Sequence, residues 1–259
     1  MQKAGDLHYR AFVGPPNRYD LIGAYQFMLL IEVGLRENHK LLDIGCGSLR
    51  AGRLFIPYLN SGNYFGVEPE QWLVEEGIKN EVGEDLIQIK KPTFLYTDDW
   101  NFPHFDTSFD YLVAQSIFSH ASQSQITACL DASKQCMKST SLLAANFLLG
   151  AEDYQGSEWN YPGNVSYRHK TIVKMIDEVG LTCVKINGFH PVLTWYLIAN
   201  LEMRNELIQW QRRFKNRGSR LHSLKNRGKR WLKPLWWRLP ENIKVQIRGI
   251  IQKQDNTTG

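Results

Sequence analysis

The sequence has few cysteines, no long apolar run and no cluster of metal-binding side chains. Only four of the 259 residues are Cys, and no two of them form a C-x-x-C pair. We therefore expect reduced core thiols in a cytoplasmic protein, and neither a disulfide framework nor a zinc site. No window reaches the ~18–20 apolar residues of a spanning helix, and no apolar segment follows Met1 as it does in a signal peptide. The absence of grouped His or acidic residues predicts that no metal is needed.

Charge is distributed unevenly along the chain. Residues 1–200 contain 22 Asp and Glu against 16 Lys and Arg, whereas residues 201–259 contain 4 against 15. The first part has a net charge of −6 and the second of +11, within a total of +5. We predict a globular domain over residues 1–200 and a basic, Trp-rich helical extension over residues 201–259.

Short apolar runs alternate with helical patterns between residues 20 and 200. The predicted strands are Lys40–Ile44, Asn63–Val67, Phe94–Tyr96, Asp110–Gln115, Leu142–Leu148, Leu181–Asn187 and Val192–Asn200. The predicted helices are Asp20–Gly34 with Asp20 as N-cap, Leu49–Leu59, Glu70–Asn80, Ser122–Lys138, Arg168–Val179 and Asn205–Arg213. This alternation predicts an α/β fold with a doubly wound, mostly parallel sheet of seven strands. The short turn at 188–191 predicts that the last strand is antiparallel.

A glycine-containing loop follows the first predicted strand, in the segment KLLDIGCGSLR at residues 40–50. Gly45 and Gly47 permit positive φ values and the close approach of a ligand to the backbone. The start of the next helix adds free N–H groups. The pattern therefore predicts a nucleotide-cofactor site. A nicotinamide or flavin site of the G-x-G-x-x-G type would require Gly at the position of Arg50, so the sequence disfavours that class.

Four segments resemble the class I S-adenosylmethionine-dependent methyltransferases. They are the D-x-G-x-G pattern at residues 43–47, the acid Glu68 after the second strand, Asp98 after the third, and the segment 109–116. The chain departs from the family at Leu49, where a third Gly is frequent. The resemblance covers about residues 6–200 and implies that the chain binds S-adenosyl-L-methionine and transfers its methyl group. The implied cofactor-binding residues are Asp43, Gly45, Gly47, Glu68, Asp98, Asp99 and Gln115. Gln26 joins them if it points at the ligand and not at solvent.

The acceptor side of the site is less well defined by the sequence. Because His120 follows the fourth strand, at the edge that faces the methyl group in this family, it is a candidate general base. A structural or helix-capping role for His120 is the alternative, and His169 and His190 are the other candidate bases. The long aperiodic loop 150–167 is typical of a functional loop. The substrate-binding candidates are Ser116, Trp159, Tyr161 and His190. By analogy with the family, residues 14–23 would lie over the methionine end of the cofactor.

The sequence leaves the methyl acceptor open. The D/N-P-P-Y/F signature of the family's amino-methylating enzymes is absent after the fourth strand, which favours O-methylation of a small-molecule, glycan or lipid-linked acceptor. The basic extension could contact an anionic membrane surface, bind RNA or pack as a cap on the domain. We favour the membrane interpretation, which would place a cytoplasmic protein peripherally at the inner membrane face. The alternatives are an RNA methyltransferase and a non-catalytic protein that binds S-adenosylmethionine.

Overall fold

A seven-stranded mixed sheet forms the centre of residues 2–215, which are the residues that the computed structural model describes. The strands are β1 (Leu41–Ile44), β2 (Tyr64–Val67), β3 (Thr93–Leu95), β4 (Phe109–Ala114), β5 (Met137–Phe147), β6 (Thr182–Ile186) and β7 (Thr194–Ala199). Their order in the sheet is β3-β2-β1-β4-β5-β7-β6. Strand β7 runs antiparallel to β5 and β6, whereas the pairs between β3 and β5 are all parallel. The predicted α/β sheet with an antiparallel last strand is confirmed.

Helices connect most of the strands. They are α1 (Tyr9–Phe12), α2 (Tyr19–Glu32), α3 (Gly52–Tyr58), α4 (Gln71–Gly77), α5 (Glu84–Lys90), α6 (Gln123–Gln135), α7 (His169–Glu178) and α8 (residues 204–215). Short 3₁₀ turns cover Pro16–Arg18, Phe102–Phe105 and Leu201–Met203, and a π-helical turn covers Ile78–Val82. Within residues 2–215, no helix has the length and apolar character that crossing a membrane requires.

The order of the strands determines where a ligand can bind. Strands β1 and β2 are buried along their whole length, as expected for apolar parallel strands that are covered on both faces. The strand order reverses between β1 and β4, and the carboxyl ends of these strands lie at one edge of the sheet. The register between β5 and β7 places the turn before Thr194 at that same edge, opposite Phe147. Ligands of open α/β sheets bind at such a reversal point.

The helix after the glycine loop is shorter than the sequence predicted. It covers Gly52–Tyr58 and not Leu49–Leu59, because residues 47–51 form turns. Leu49 has a left-handed backbone with φ of 58°, which is incompatible with a helical residue. Pro57 lies inside this helix, where it has no N–H group to donate to the carbonyl of Arg53, and the helix ends one residue later.

Four other predicted boundaries were wrong, and the fourth is the start of β5, at Met137 instead of Leu142. Helix α2 begins at Tyr19, so Asp20 lies in its first turn and is not the N-cap. The predicted helix Glu70–Asn80 is an α-helix only to Gly77 and continues as the π-helical turn. Helix α6 is capped by Ser122, as predicted, but it ends at Gln135 instead of Lys138. Strand β5 begins directly afterwards, with exposed polar residues that lack an apolar strand pattern.

The sheet belongs to a compact unit that extends to Arg213. The division of the chain into 1–200 and 201–259 stays a prediction. The interpretations of the basic extension concern residues that are mostly in 216–259 and lie outside the described residues. All four cysteines are free thiols, and three of them are buried, in agreement with the expected core thiols.

Candidate active site

The glycine loop is packed tightly between β2 and the segment that precedes α2. Gly45 and Gly47 have φ values of 68° and 55°. The N–H groups of Gly45 and Cys46 donate to the carbonyl of Val67, at 2.8 and 3.0 Å. A Cβ atom on Gly47 would lie 2.7 Å from the Val13 side chain, and one on Gly45 would collide with Ile117. Both the conformation and the space therefore require glycine at these two positions.

Glu68 contacts this loop from the carboxyl end of β2. Its Oε2 accepts the N–H of Gly47 at 2.9 Å, and its Oε1 accepts the N–H of Glu70 at 3.1 Å. The residue is 8% exposed, and burial raises the pKa of its carboxyl group to about 7. No ion pair within residues 2–215 includes Glu68. The carboxyl group is thus held in place by backbone donors and retains acceptor capacity for a ligand.

Asp43 is a second buried acid at the same edge. Its Oδ2 accepts the hydroxyl of Tyr64 at 2.8 Å, and burial raises the pKa of its carboxyl group to about 6. Asp98 and Asp99 follow β3 and are exposed. Asp99 Oδ1 accepts the Thr97 hydroxyl at 2.6 Å, whereas the Asp98 side chain makes no hydrogen bond with any described residue. The acids near the end of β1 and after β2 and β3 therefore line one edge of the sheet.

Leu49 occupies the position at which the family frequently has its third glycine. Its φ of 58° lies in the left-handed region, so the backbone takes a conformation that glycine would adopt without strain. The Leu49 side chain is fully buried, beside Gly52 and Gly77. Burial of an apolar side chain therefore offsets the cost of the strained backbone at this position.

A chain of hydrogen bonds connects the glycine loop to β4 and β5. Arg50 Nη2 donates to Gln115 Oε1, and Gln115 Nε2 donates to the Ser116 hydroxyl. Ser116 has a left-handed backbone, and its N–H donates to Asn146 Oδ1 at 2.8 Å. Gln26, on α2, is 3% exposed, and its side chain makes no hydrogen bond with any described residue. The candidates Gln115 and Ser116 thus belong to one connected polar network.

His120 lies between two aromatic side chains of the long loop. Its ring centroid is 5.6 Å from that of Trp159 and 5.2 Å from that of Tyr161. His120 Nδ1 faces the carbonyl oxygens of Gly163, at 2.6 Å, and Asn160, at 3.2 Å. Carbonyls only accept hydrogen bonds, so the proton is on Nδ1 and Nε2 carries a lone pair. Burial lowers the pKa of His120, which keeps the ring neutral near pH 7.

The N-terminal segment covers the loop that bears Tyr161. The Tyr161 hydroxyl donates to the carbonyl of Phe12, and the two rings are 5.2 Å apart. Glu81 holds this segment in place through Arg10, with Nη2 at 2.5 Å, and binds Arg53 at 3.1 Å. The Glu81 side chain is only 4% exposed. The segment is therefore fixed to the body of the domain by a nearly buried acid that is shared between two guanidinium groups.

The remaining histidine candidates lie on different elements. His190 is in the turn before β7, where its Nδ1 accepts the N–H groups of Val192 and Leu193 at 3.1 and 2.7 Å. Burial, with the charges of Arg50 and Arg18, lowers the pKa of His190 to about 4. His169 Nδ1 lies 2.7 Å from the hydroxyl of Tyr196. Burial and the charge of Arg50 thus lower the pKa of His190, whereas burial and Lys185 lower the pKa of His169.

Two residues of the polar network were not among the sequence-based candidates. Arg50 was considered only because it replaces a glycine, although its position in the loop was a signal for a role near the ligand. Asn146 is fully buried in β5. A polar residue in an otherwise apolar strand was the available signal for it. Asn146 and Ser116 are 30 residues apart along the chain, so no local sequence pattern indicates their contact.

Comparisons with known structures identify the fold. No protein-family model matches the sequence. A magnesium protoporphyrin IX methyltransferase from Synechocystis, with bound SAH (S-adenosylhomocysteine), is 13% identical over 73% of this chain and 87% of that chain, with a TM-score of 0.54. A structure of the same enzyme with bound SAM (S-adenosylmethionine) is also 13% identical, with a TM-score of 0.52.

Two further structures are similar to the same extent. An S-adenosylmethionine-dependent methyltransferase from Clostridium acetobutylicum is 12% identical over 76% of this chain and 93% of that chain, with a TM-score of 0.51. Mitomycin 7-O-methyltransferase is 13% identical over 74% of this chain and 56% of that chain, with a TM-score of 0.55. The chain has the class I S-adenosylmethionine-dependent methyltransferase fold.

Proposed function

We propose that this chain transfers the methyl group of S-adenosyl-L-methionine to a hydroxyl group of a small-molecule, glycan or lipid-linked acceptor. The observation that supports it best is the placement of Glu68 and the glycine loop at the carboxyl edge of β1 and β2. This is the edge at which an open α/β sheet binds nucleotide ligands. The similar structures that contain SAM or SAH support the same choice of cofactor.

The residues at this edge fit the chemistry of the cofactor. Gly45 and Gly47 have positive φ values, which allow the tight turn after β1 that a nucleotide-binding loop uses. Glu68 offers carboxylate oxygens to the two ribose hydroxyls, and Asp98 offers an acceptor to the adenine amino group. Neither acid forms an ion pair within residues 2–215, so a neutral donor of the ligand meets no competing cation there.

His120 fits the role of the general base. Its Nε2 lone pair can accept the proton of an acceptor hydroxyl, because Nδ1 already carries the other proton. The imidazolium that forms would be stabilised by the carbonyls of Asn160 and Gly163, since a charged N–H is the stronger donor. Trp159 and Tyr161 flank the ring and limit the access of water. S-adenosylmethionine, when bound, supplies the activated methyl group, so the protein contributes alignment and proton removal.

The test is transfer of label from methyl-labelled S-adenosylmethionine to fractionated cell extract. We expect label in a small-molecule, glycan or lipid fraction. Label in RNA would contradict the proposed acceptor class, and failure to bind the cofactor in calorimetry would contradict the proposed reaction. The same assay distinguishes a catalytic protein from one that only binds the cofactor.

A histidine substitution tests the proposed base. His120→Gln should lower the transfer rate about 10²–10⁴-fold, with little change in affinity for S-adenosylhomocysteine. His39→Gln is the matched control, because His39 lies before β1, at the opposite edge of the sheet. A His120→Gln protein that retains its rate would show that the acceptor needs no base, as a carboxylate acceptor would not.

A further inference from the structure

Arg50 is a buried cation whose guanidinium group, within residues 2–215, donates hydrogen bonds only to neutral acceptors. The residue is 7% exposed, and no ion pair within residues 2–215 includes it. Its Nη1 donates to the carbonyl of Val13 at 2.6 Å and its Nη2 to the side-chain carbonyl of Gln115. Its Nε is buried and has no acceptor in the described part of the chain. Burial of a charge that only neutral acceptors contact is unfavourable, so the site is suited to an anion that is not part of the described chain.

Two other buried donors without acceptors lie at the same edge of the sheet. Asn146 Oδ1 accepts the Ser116 N–H, which orients the amide, and Asn146 Nδ2 has no acceptor among residues 2–215. His190 Nδ1 accepts two backbone N–H groups, so Nε2 carries the ring proton, and this N–H also has no acceptor among those residues. The hydrogen-bond chain through Gln115 joins Arg50 to Asn146. These donors lie at the ends of neighbouring strands, since Asn146 is paired with Trp195, just after the turn of His190.

Positive charges act on His190, whereas the Asp43 carboxylate acts on Arg50 without forming an ion pair with it within residues 2–215. The guanidinium groups of Arg50 and Arg18 both act on the His190 ring and lower its pKa. Arg18 is exposed and precedes α2, at the end of the N-terminal segment that Arg50 contacts through Val13. A carboxylate or a phosphate would satisfy unpaired N–H donors and neutralise part of this charge.

The position of the group favours the acceptor as the source of this anion. Glu68 and Asp98 follow β2 and β3, on one side of β1, and fit the adenosine part of the cofactor. The other donors lie on the other side of β1. Gln115 directly follows β4, Asn146 is near the end of β5, and His190 is in the turn before β7. We propose that the methyl acceptor carries a carboxylate or phosphate group, which Arg50 binds with His190 and Arg18. The proposal rests on the proposed function, since it assigns the substrate class of the same site.

The carboxylate of the cofactor's own methionine part is the competing source of the same chemistry. Measurements of binding to the full chain distinguish the two sources. The probes are S-adenosylhomocysteine, 5′-methylthioadenosine (which lacks the carboxylate) and inorganic phosphate. Phosphate is titrated with and without S-adenosylhomocysteine. Arg50→Met is the main variant, and Arg36→Met is its control, because Arg36 is an exposed arginine that binds only backbone carbonyls.

If the anion belongs to the acceptor, Arg50→Met should weaken phosphate binding at least about tenfold and leave the affinity for S-adenosylhomocysteine within about twofold. Arg36→Met should change neither affinity. Arg18→Met should weaken phosphate binding severalfold. Because Arg18 is exposed, this variant tests the proposal even if Arg50→Met does not fold.

Three results would overturn the proposal. The first is a wild-type protein that binds no phosphate, and the second is phosphate binding that neither arginine variant changes. The third is a loss of affinity for S-adenosylhomocysteine, but not for 5′-methylthioadenosine, in Arg50→Met, which would assign Arg50 to the cofactor. Failure of the wild-type protein to bind S-adenosylhomocysteine would instead contradict the proposed function. The phosphate titration without cofactor would still test the anion site in that case.

Discussion

We expect the affinity for S-adenosylhomocysteine to rise with pH between about 6 and 8, because Glu68 titrates in this range. Burial raises the pKa of its carboxyl group from 4.5 to about 7, although the N–H groups of Gly47 and Glu70 partly counteract this effect. A protonated carboxyl group has lost one of the oxygens that can accept the ribose hydroxyls. Binding should therefore favour the ionised form.

The magnitude follows from the ionised fraction. With a pKa of about 7, about one tenth of Glu68 is ionised near pH 6 and about nine tenths near pH 8. If only the ionised form binds, affinity rises about tenfold over this range, or about 1.4 kcal/mol. The stability of the ligand-free protein should change in the opposite direction. Because folding raises this pKa, the contribution of Glu68 to stability is present at low pH and is lost as pH rises from 4.5 to about 7.

Isothermal titration calorimetry across this pH range measures both the affinity and the protons released. Glu68→Gln should bind weakly and without the pH dependence. Asp43→Asn is the necessary control, since the pKa of Asp43 is raised to about 6 and this group borders the same loop. His190, with a pKa of about 4, stays neutral throughout and does not contribute. A flat profile for the wild-type protein, or an unchanged slope in Glu68→Gln, would refute the role of Glu68.

Two further predictions concern the stability of the cofactor loop and of its cover. Leu49→Gly should be at least as stable to urea as Leu49→Ala, because glycine relieves the left-handed backbone by about 1 kcal/mol, whereas both variants lose the buried side chain. The usual order, with alanine clearly more stable, would show that φ at this position is not strained. Glu81→Gln should lower the free energy of opening of the N-terminal segment by about 1 kcal/mol, a modest effect because the partner arginines are only partly buried. Tryptic cleavage after Arg10 should then be about fivefold faster. Unchanged cleavage would mean that the segment is held by its aromatic contacts.

The strands were predictable because each is a short apolar run between breaking residues. Strands β1 and β2 begin one residue later than predicted and end as predicted. Helix boundaries were less predictable where tertiary contacts decide them. Gly77 is an example, since a Cβ atom there would lie within 2.4 Å to 2.6 Å of the Ser48 carbonyl group, and its α-helix ends at this close contact. Helix α5 was missed altogether, because it has only seven residues, none of them fully buried, and this is too short for a clear helical repeat.

The candidate site was predictable to the extent that it follows the strand ends. In a parallel sheet the carboxyl ends lie together, so residues such as Asp43 and Glu68 are neighbours whatever the loops between them do. Their roles in cofactor binding, and those of His120 and the loop aromatics, stay predictions. The tautomer of His120 depends on the carbonyls of Asn160 and Gly163. These contacts span 40 and 43 residues, so no local pattern reports them.

The sequence by itself determined the order of the strands, the positions of most helices, the glycine loop and the acids at or after the strand ends. These features depend on local periodicity and on the special conformations of glycine, both of which are visible in a short segment. Only the tertiary structure decided the environment of Arg50. In the sequence this residue is a substitution for a glycine, whereas in the fold it is a buried cation between Val13 and Gln115. Its burial, and the lack of an ion pair with any acid of residues 2–215, depend on segments far apart in the chain, and only folding brings these together.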